Sequence, residues 1–394
     1  MIMDTILQHF QAYRLPPDEK HVDVLDGLRA LMILLVGWFH IWQQSWLSPT
    51  LPVAGSLDFL LRTGYLWVDG MLLLSGFLLY LPYTGAAKAP SVGAFYKRRL
   101  IRILPSYLLC VIPLFILACV QGKYADSAFA VKDLFAHLTF TQTLFRDTYF
   151  SSPLNGALWT VAVEMQFYLI FPFLARAFRK KTALTWLCMS ISAWAFRYFA
   201  FRQSDPSMYF NQLPAFLDVY ANGFAAASAY AALRRRLGGS GPWDKSLRLL
   251  FSVLFVICLC LLLQIARGQA YDPQYGSVQR GQLARRFPLS AVLACLMVCA
   301  AGSLPPIRFL LGNRVMRFLS AISFQFYIWH QLLAVQWKAW GFPPSESAAP
   351  WANGEYRWQF NYTLLCFLSA LALAALLTYL FERPVARALR RRRK

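Results

Sequence analysis

The chain carries little charge. Of its 394 residues only 14% are Asp, Glu, Lys or Arg, where a soluble domain carries about a quarter. Acidic groups are the scarcest, 18 against 39 Lys and Arg. No polar stretch is long enough to fold as a separate soluble domain, and there is no internal repeat. Residues 1–25 are polar and mixed, so no cleavable signal peptide is expected and the first apolar run is read as a retained helix. The eight cysteines (Cys110, Cys119, Cys188, Cys258, Cys260, Cys295, Cys299 and Cys366) all sit in apolar runs without metal-ligand spacing. That pattern argues against both a metal site and a disulfide framework.

What the chain has is apolar surface: 58% hydrophobic residues, 13 of them Trp. Apolar runs of about 20 residues recur along the whole length, each enough to cross a hydrocarbon core of about 30 Å. The expected fold class is an all-α integral membrane protein of about ten transmembrane helices. They fall near 26–47, 58–83, 101–121, 156–178, 182–202, 208–232, 247–266, 287–304, 318–340 and 361–382. Within 122–155 the pattern is weaker, and 134–145 reads as a short interfacial or re-entrant helix. This divides the chain into a cytoplasmic segment 1–25, a transmembrane domain 26–383 and a basic cytoplasmic tail 384–394.

A formal charge of +21 would suit a nucleic acid, but its placement argues otherwise. Ten helices put both termini on one side. The loops on that side (84–102, 176–181, 233–248, 305–317 and 383–394) hold 24 Lys and Arg, and the opposite loops hold 8. The positive-inside rule then places both termini in the cytoplasm. Anionic lipid accounts for the charge, and no nucleic-acid partner is needed.

An ionisable group at bilayer depth costs a few kcal/mol on insertion scales, so each one is a functional candidate. Arg29 and His40 are eleven residues apart on the first helix. That spacing returns to nearly the same face and climbs about 16 Å. Glu164, on the fourth helix, is expected at the depth of His40, and a histidine with a carboxylate at one level suits a general-base pair. Asp69 and His330 lie a little deeper, and Tyr168 shares the face of Glu164. Asp218 and Asn222 form another i,i+4 polar pair. Each has a plainer reading: His330, Asp218 and Tyr168 as hydrogen-bonded packers, Asp26 as a cap or a partner for Arg29. Arg98, Arg99 and Arg102 follow Lys97 at the expected cytoplasmic start of the third helix. Arg99 and Arg102 share a face, and an arginine fork suits phosphate.

These residues sit in longer strings: DGLRALMILLVGWFH, GYLWVDGMLLLSGFLLY, FYKRRLIRILPSY, LWTVAVEMQFYLIFPFL, SFQFYIWH and FERPVAR. In that order they resemble the acyltransferase-3 family of bacterial membrane acyltransferases, which O-acylate envelope glycans. The resemblance spans nearly the whole chain. It implies a ten-helix core that moves an acyl group, usually acetyl, from cytoplasmic acyl-CoA to a sugar hydroxyl, with no tightly bound cofactor. The family's arginine–histidine motif falls on Arg29 and His40, its paired arginines on Arg99 and Arg102 with Arg98 adjacent, and its glutamate motif on Thr160, Glu164 and Tyr168. Thr160 replaces the usual serine. Trp67 stands where the family commonly has glycine, and Met71-Leu72 where it commonly has two aromatics, which bears on acyl-chain fit. No esterase domain is expected after the last helix, so final transfer occurs in this protein or on a separate periplasmic transferase.

On this reading Arg29, Arg98, Arg99 and Arg102 hold the phosphates of acyl-CoA. His40 and Glu164 are catalytic, His40 as base or as transient acyl carrier, with Asp69, Thr160, Tyr168 and His330 in support. Loops 122–155, 267–286 and 341–360 would meet the acceptor, while Trp351, Tyr356 and Trp358 read first as interface anchors. The competing class is a proton-coupled transporter or flippase for a sugar-containing substrate. It lacks support from broken helices in two matching halves. A non-catalytic partner of a glycan-synthesis complex is the third reading.

Overall fold

The computed structural model describes residues 22–48, 50–51, 55–85, 91–237, 242–271 and 273–391. Most of the expected N-terminal segment and residues 392–394 of the basic tail lie outside the described residues. Among the described residues the architecture is helical apart from two antiparallel two-residue strands, β1 (Thr50–Leu51) and β2 (Gly55–Ser56). The helices are α1 (Asp23–Ser45), α2 (Asp58–Arg62), α3 (Trp67–Tyr80), α4 (Val92–Val120), α5 (Ser127–Leu138), α6 (Arg146–Phe150), α7 (Trp159–Lys180) and α8 (Thr182–Arg202). They continue as α9 (Leu217–Leu237), α10 (Pro242–Tyr271), α11 (Val278–Gly302), α12 (Pro305–Gly312), α13 (Arg314–Ala339), α14 (Tyr356–Leu377) and α15 (Arg383–Arg391).

Among the described residues eight helices are long and apolar enough to cross a membrane, with α1, α3, α4, α7, α10, α11, α13 and α14 at their centres. Helices α8 and α9, with 21 residues each, are long enough at about 1.5 Å per residue but are less apolar. Both correspond to expected helices. Large apolar side chains face outward uncovered, among them Ile116 and Val120 on α4 and Leu169 and Phe173 on α7. On a soluble surface such a continuous apolar belt would drive association; around a helical bundle it faces lipid. The chain is a multi-pass membrane protein.

Several boundaries differ from the expected ones, and the differences move charge. Helix α4 starts at Val92 instead of near 101, so Arg98, Arg99 and Arg102 lie on helical turns and not at a helix start. Its internal Pro105 and Pro113 do not end it, as neighbouring segments in a membrane protein can satisfy the freed backbone groups. Helix α11 starts at Val278, so Arg280, Arg285 and Arg286 stand on a helix where a loop was expected. An apolar window stops where polar residues begin, whereas a helix continues until its backbone bonds end. The weak segment 122–155 folds into α5 and α6 joined by a 3₁₀ turn, with Asp126 capping α5 by accepting from the Phe129 N–H at 2.7 Å.

Small residues set the closest approaches. A Cβ on Gly37 of α1 would stand 2.5 Å from the Phe326 ring of α13. A Cβ on Gly223 of α9 would stand 2.4 Å from the Leu73 carbonyl oxygen of α3. Only glycine admits the Phe326 ring at the first position and the α3 backbone at the second, the usual device for helix association without a hydrophobic driving force.

Candidate active site

Five helices surround a cavity of about 110 Å³. Helix α1 contributes Arg29, α4 contributes Arg99, Arg102 and Ile103, and α7 contributes Thr160, Val161, Glu164 and Tyr168. Helix α3 adds an apolar wall, including Met71 and Leu72, interrupted by Ser75; α13 adds Ser323, Phe324 and Tyr327. Of the four arginines singled out in the sequence, three line this cavity. Arg98 is exposed and does not.

Several of the polar groups in the cavity have defined partners. Arg29 donates to the Ser320 hydroxyl at 3.4 Å, and Ser320 donates to Asp26 at 2.7 Å. Asp26 also stands 3.9 Å from the Arg29 guanidinium. The plainer reading of Asp26 as a partner of Arg29 is thus realised alongside the cavity position. Arg99 lies over the rings of Phe95 and Tyr168, at 5.7 and 5.6 Å, and its Nε has no hydrogen-bond partner among the described residues. Stacking on two aromatic faces holds a guanidinium without neutralising it. Glu164 accepts on one oxygen from Ser75 at 2.7 Å and from Tyr168. Thr160 turns its hydroxyl to the Ala157 carbonyl at 3.3 Å.

His40 lies outside this set. Its Nδ1 is 2.9 Å from Nε2 of His330. His330 is fully buried, with its ring stacked on Phe326 at 5.5 Å. Its own Nδ1 stands 3.0 and 2.8 Å from the carbonyl oxygens of Phe326 and Tyr327. The expected pairing of His40 with Glu164 therefore gives way to two centres: a histidine pair, and a carboxylate with two hydroxyls. A depth counted along separate helices does not fix how the helices sit against one another or which way each side chain points, and the packing of α13 on α1 brings His330 to His40. Tyr327 links the centres, lining the cavity while its ring centroid lies 5.6 Å from that of His330.

Asp69 faces away from the cavity. It accepts from Arg286 Nε at 3.0 Å, both side chains fully buried. Arg286 also donates to the Phe210 carbonyl at 2.6 Å and lies 3.9 Å over the Phe216 ring. Asp218 pairs not with Asn222 but with Arg197, through two hydrogen bonds of 2.7 and 2.5 Å. Asn222 turns to Trp186 and Ser290, each at 2.9 Å.

Residues the sequence reading passed over include Ser75, Tyr327, Arg197 and Arg286. Another is Gln325, which donates to Ser106 of α4 at 2.6 Å and to Glu382 at 2.9 Å. Glu382 closes a π-helical segment, Thr378–Glu382, between α14 and α15. Arg286 was legible in principle as an arginine one residue before an apolar run. Nothing in the sequence marks Ser75 or Gln325 except their place in the resemblance strings.

Charged side chains and a histidine pair gathered inside a lipid-facing helical scaffold define a membrane protein with a polar interior site. The family profile described as an acyltransferase domain matches residues 22–383, and the chain belongs to the acyltransferase-3 family. Among similar proteins is YrhL of Bacillus subtilis, provisionally named a peptidoglycan O-acetyltransferase, 25% identical over 81% of this chain and 49% of that protein. The peptidoglycan O-acetyltransferase OatA of Listeria monocytogenes is 26% identical over 79% of this chain and 49% of its own length. The O-acetyltransferase OatA of Staphylococcus aureus is 30% identical over 39% of this chain and 24% of its own. The chain thus spans about half the length of the longer-matching relatives. No solved structure matches it.

Proposed function

We propose that this protein is an O-acyltransferase of the bacterial inner membrane. It moves an acetyl group from cytoplasmic acyl-CoA to a hydroxyl of an envelope glycan. Its ten crossings, counting α8 and α9, leave both termini in the cytoplasm. The observation that carries the reading is the meeting of Arg29, Arg99 and Arg102 at one cavity whose α13 wall continues through Tyr327 to the His40–His330 pair. The relatives named as O-acetyltransferases support the reaction class.

The three arginines hold the phosphates of the donor, and the acyl end extends toward His40. The pantetheine arm is comparable in length to the rise of about 16 Å between Arg29 and His40. His40 accepts the proton of the acceptor hydroxyl as its oxygen attacks the thioester carbonyl. The carbon–sulfur bond then breaks, and the departing thiolate takes the proton back. Met71 and Leu72 line the cavity and suit a short acyl chain. Ser75 and Tyr168 orient Glu164 beside the arginines, where its charge keeps the cluster from excessive self-repulsion.

The test is ligand-induced stabilisation in detergent with acetyl-CoA. A ligand that binds only the folded protein raises its melting temperature by mass action. The wild type shifts, and Arg29→Ala and the Arg99→Ala/Arg102→Ala double variant do not. Absence of a shift with acetyl-, succinyl- and longer acyl-CoAs in folded protein overturns the donor assignment and favours transport. Glycan transfer by the purified protein alone distinguishes direct transfer from hand-over to a separate periplasmic transferase.

A further inference from the structure

The two nitrogens of His330 face different kinds of partner, and this settles where the protons of the histidine pair reside. His330 Nδ1 is within hydrogen-bond distance of the carbonyl oxygens of Phe326 and Tyr327. A carbonyl oxygen only accepts, so Nδ1 of His330 carries a hydrogen. In the neutral ring Nε2 is then a bare lone pair. That Nε2 lies 2.9 Å from Nδ1 of His40, and two lone pairs do not face each other at that distance. The hydrogen between the rings therefore belongs to His40 Nδ1, which leaves His40 Nε2 as the unprotonated nitrogen.

We propose that His330 is the positioning residue that sets the tautomer of His40 and makes Nε2 the atom that takes the acceptor proton. This deepens the acyl-transfer reading and rests on it only for the identity of the proton. When Nε2 is protonated, the imidazolium keeps its Nδ1–H directed at His330 Nε2, so the charge that develops during attack meets an acceptor already in place. The part that a carboxylate plays behind the histidine of a hydrolase triad falls here to a second imidazole. Its own orientation is fixed by the α13 backbone and by the Phe326 ring stacked on it. At Gly37 α1 lies tight against the Phe326 ring that backs His330, since a Cβ there would stand 2.5 Å from that ring.

The test has a spectroscopic arm and a kinetic arm. The chain has five histidines, so ¹⁵N-histidine labelling gives few signals, and His40→Gln assigns the one from His40. The expected result is a protonated Nδ1 and an imine-type Nε2 on His40, read without any substrate. A His40 signal with bare Nδ1 and protonated Nε2 overturns the proposal, whatever reaction the protein performs. In the kinetic arm His330→Gln returns an acceptor oxygen to the place of Nε2, whereas His330→Phe keeps the ring shape without one. The Gln variant retains kcat within about tenfold and the Phe variant loses about 10²-fold or more, the usual contribution of a positioned base. Both are compared as folded, monodisperse protein. Equal activity of folded Gln and Phe variants overturns the positioning role. A wild-type enzyme without acyl transfer, but with the expected His40 tautomer, overturns the proposed reaction alone.

Discussion

Removing one side of the Asp69–Arg286 pair should cost far more than removing both. The two side chains are fully buried, on α3 and α11. Among the described residues Asp69 has one oxygen on Arg286 Nε and the other without a partner, and Arg286 Nη2 is also without one. In Asp69→Ala the guanidinium keeps the Phe210 carbonyl and the Phe216 ring but loses its counter-charge. Leaving one buried charge uncompensated costs about 3–5 kcal/mol, whereas replacing both with apolar groups of similar volume is often neutral or stabilising. The expected order is therefore wild type near Asp69→Leu/Arg286→Met, with Asp69→Ala about 3 kcal/mol or more below. The assay is reversible unfolding in mixed dodecyl sulfate and maltoside micelles, read by tryptophan fluorescence and closed as a double-mutant cycle. An Asp69→Ala variant with the wild-type midpoint, or a double variant as weak as the single one, would refute the reasoning. The second buried pair, Arg197 with Asp218, is near enough to act on Arg286 electrostatically. Its residues stay unchanged in the cycle.

Two further outcomes follow from close contacts. Gly37→Val places methyl groups into the Phe326 ring, an overpacking that costs about 1–3 kcal/mol. It should also lower acyl transfer by moving the histidine pair, checked by activity on folded protein. Asn155→Ala removes a bond of 2.5 Å to the Ile328 carbonyl and a cap on the Ala157 N–H. Each is worth about 1 kcal/mol, so a loss of about 2 kcal/mol is expected in the same unfolding assay.

Much of the scaffold was legible from composition and period alone. Apolar runs of membrane-spanning length located the eight most apolar helices and also α8 and α9, because a backbone in lipid must satisfy its own hydrogen bonds. Helix ends were not legible where polar residues extend a helix, as at Arg98 on α4 and Arg286 on α11. The residues that gather at the cavity came partly from the strings: Arg29, Arg99, Arg102, Thr160, Glu164 and Tyr168 all line it. Ser75 and Gln325 did not announce themselves, since a lone serine or glutamine in an apolar helix is chemically ordinary until its partner is known.

The amino-acid sequence by itself determined which segments are apolar helices and how deep along each one a polar group stands, because every residue advances a helix by the same rise. It could not determine which groups meet. His40 and Glu164 were expected at one depth, yet Glu164 lines the cavity with Arg29, while His40 and His330, 290 residues apart, share a hydrogen bond. Contact across helices depends on how each one is rotated about its axis and how closely it packs. The tertiary structure decides both, through positions such as Gly27 and Gly223, where one backbone lies against its neighbour without an intervening side chain.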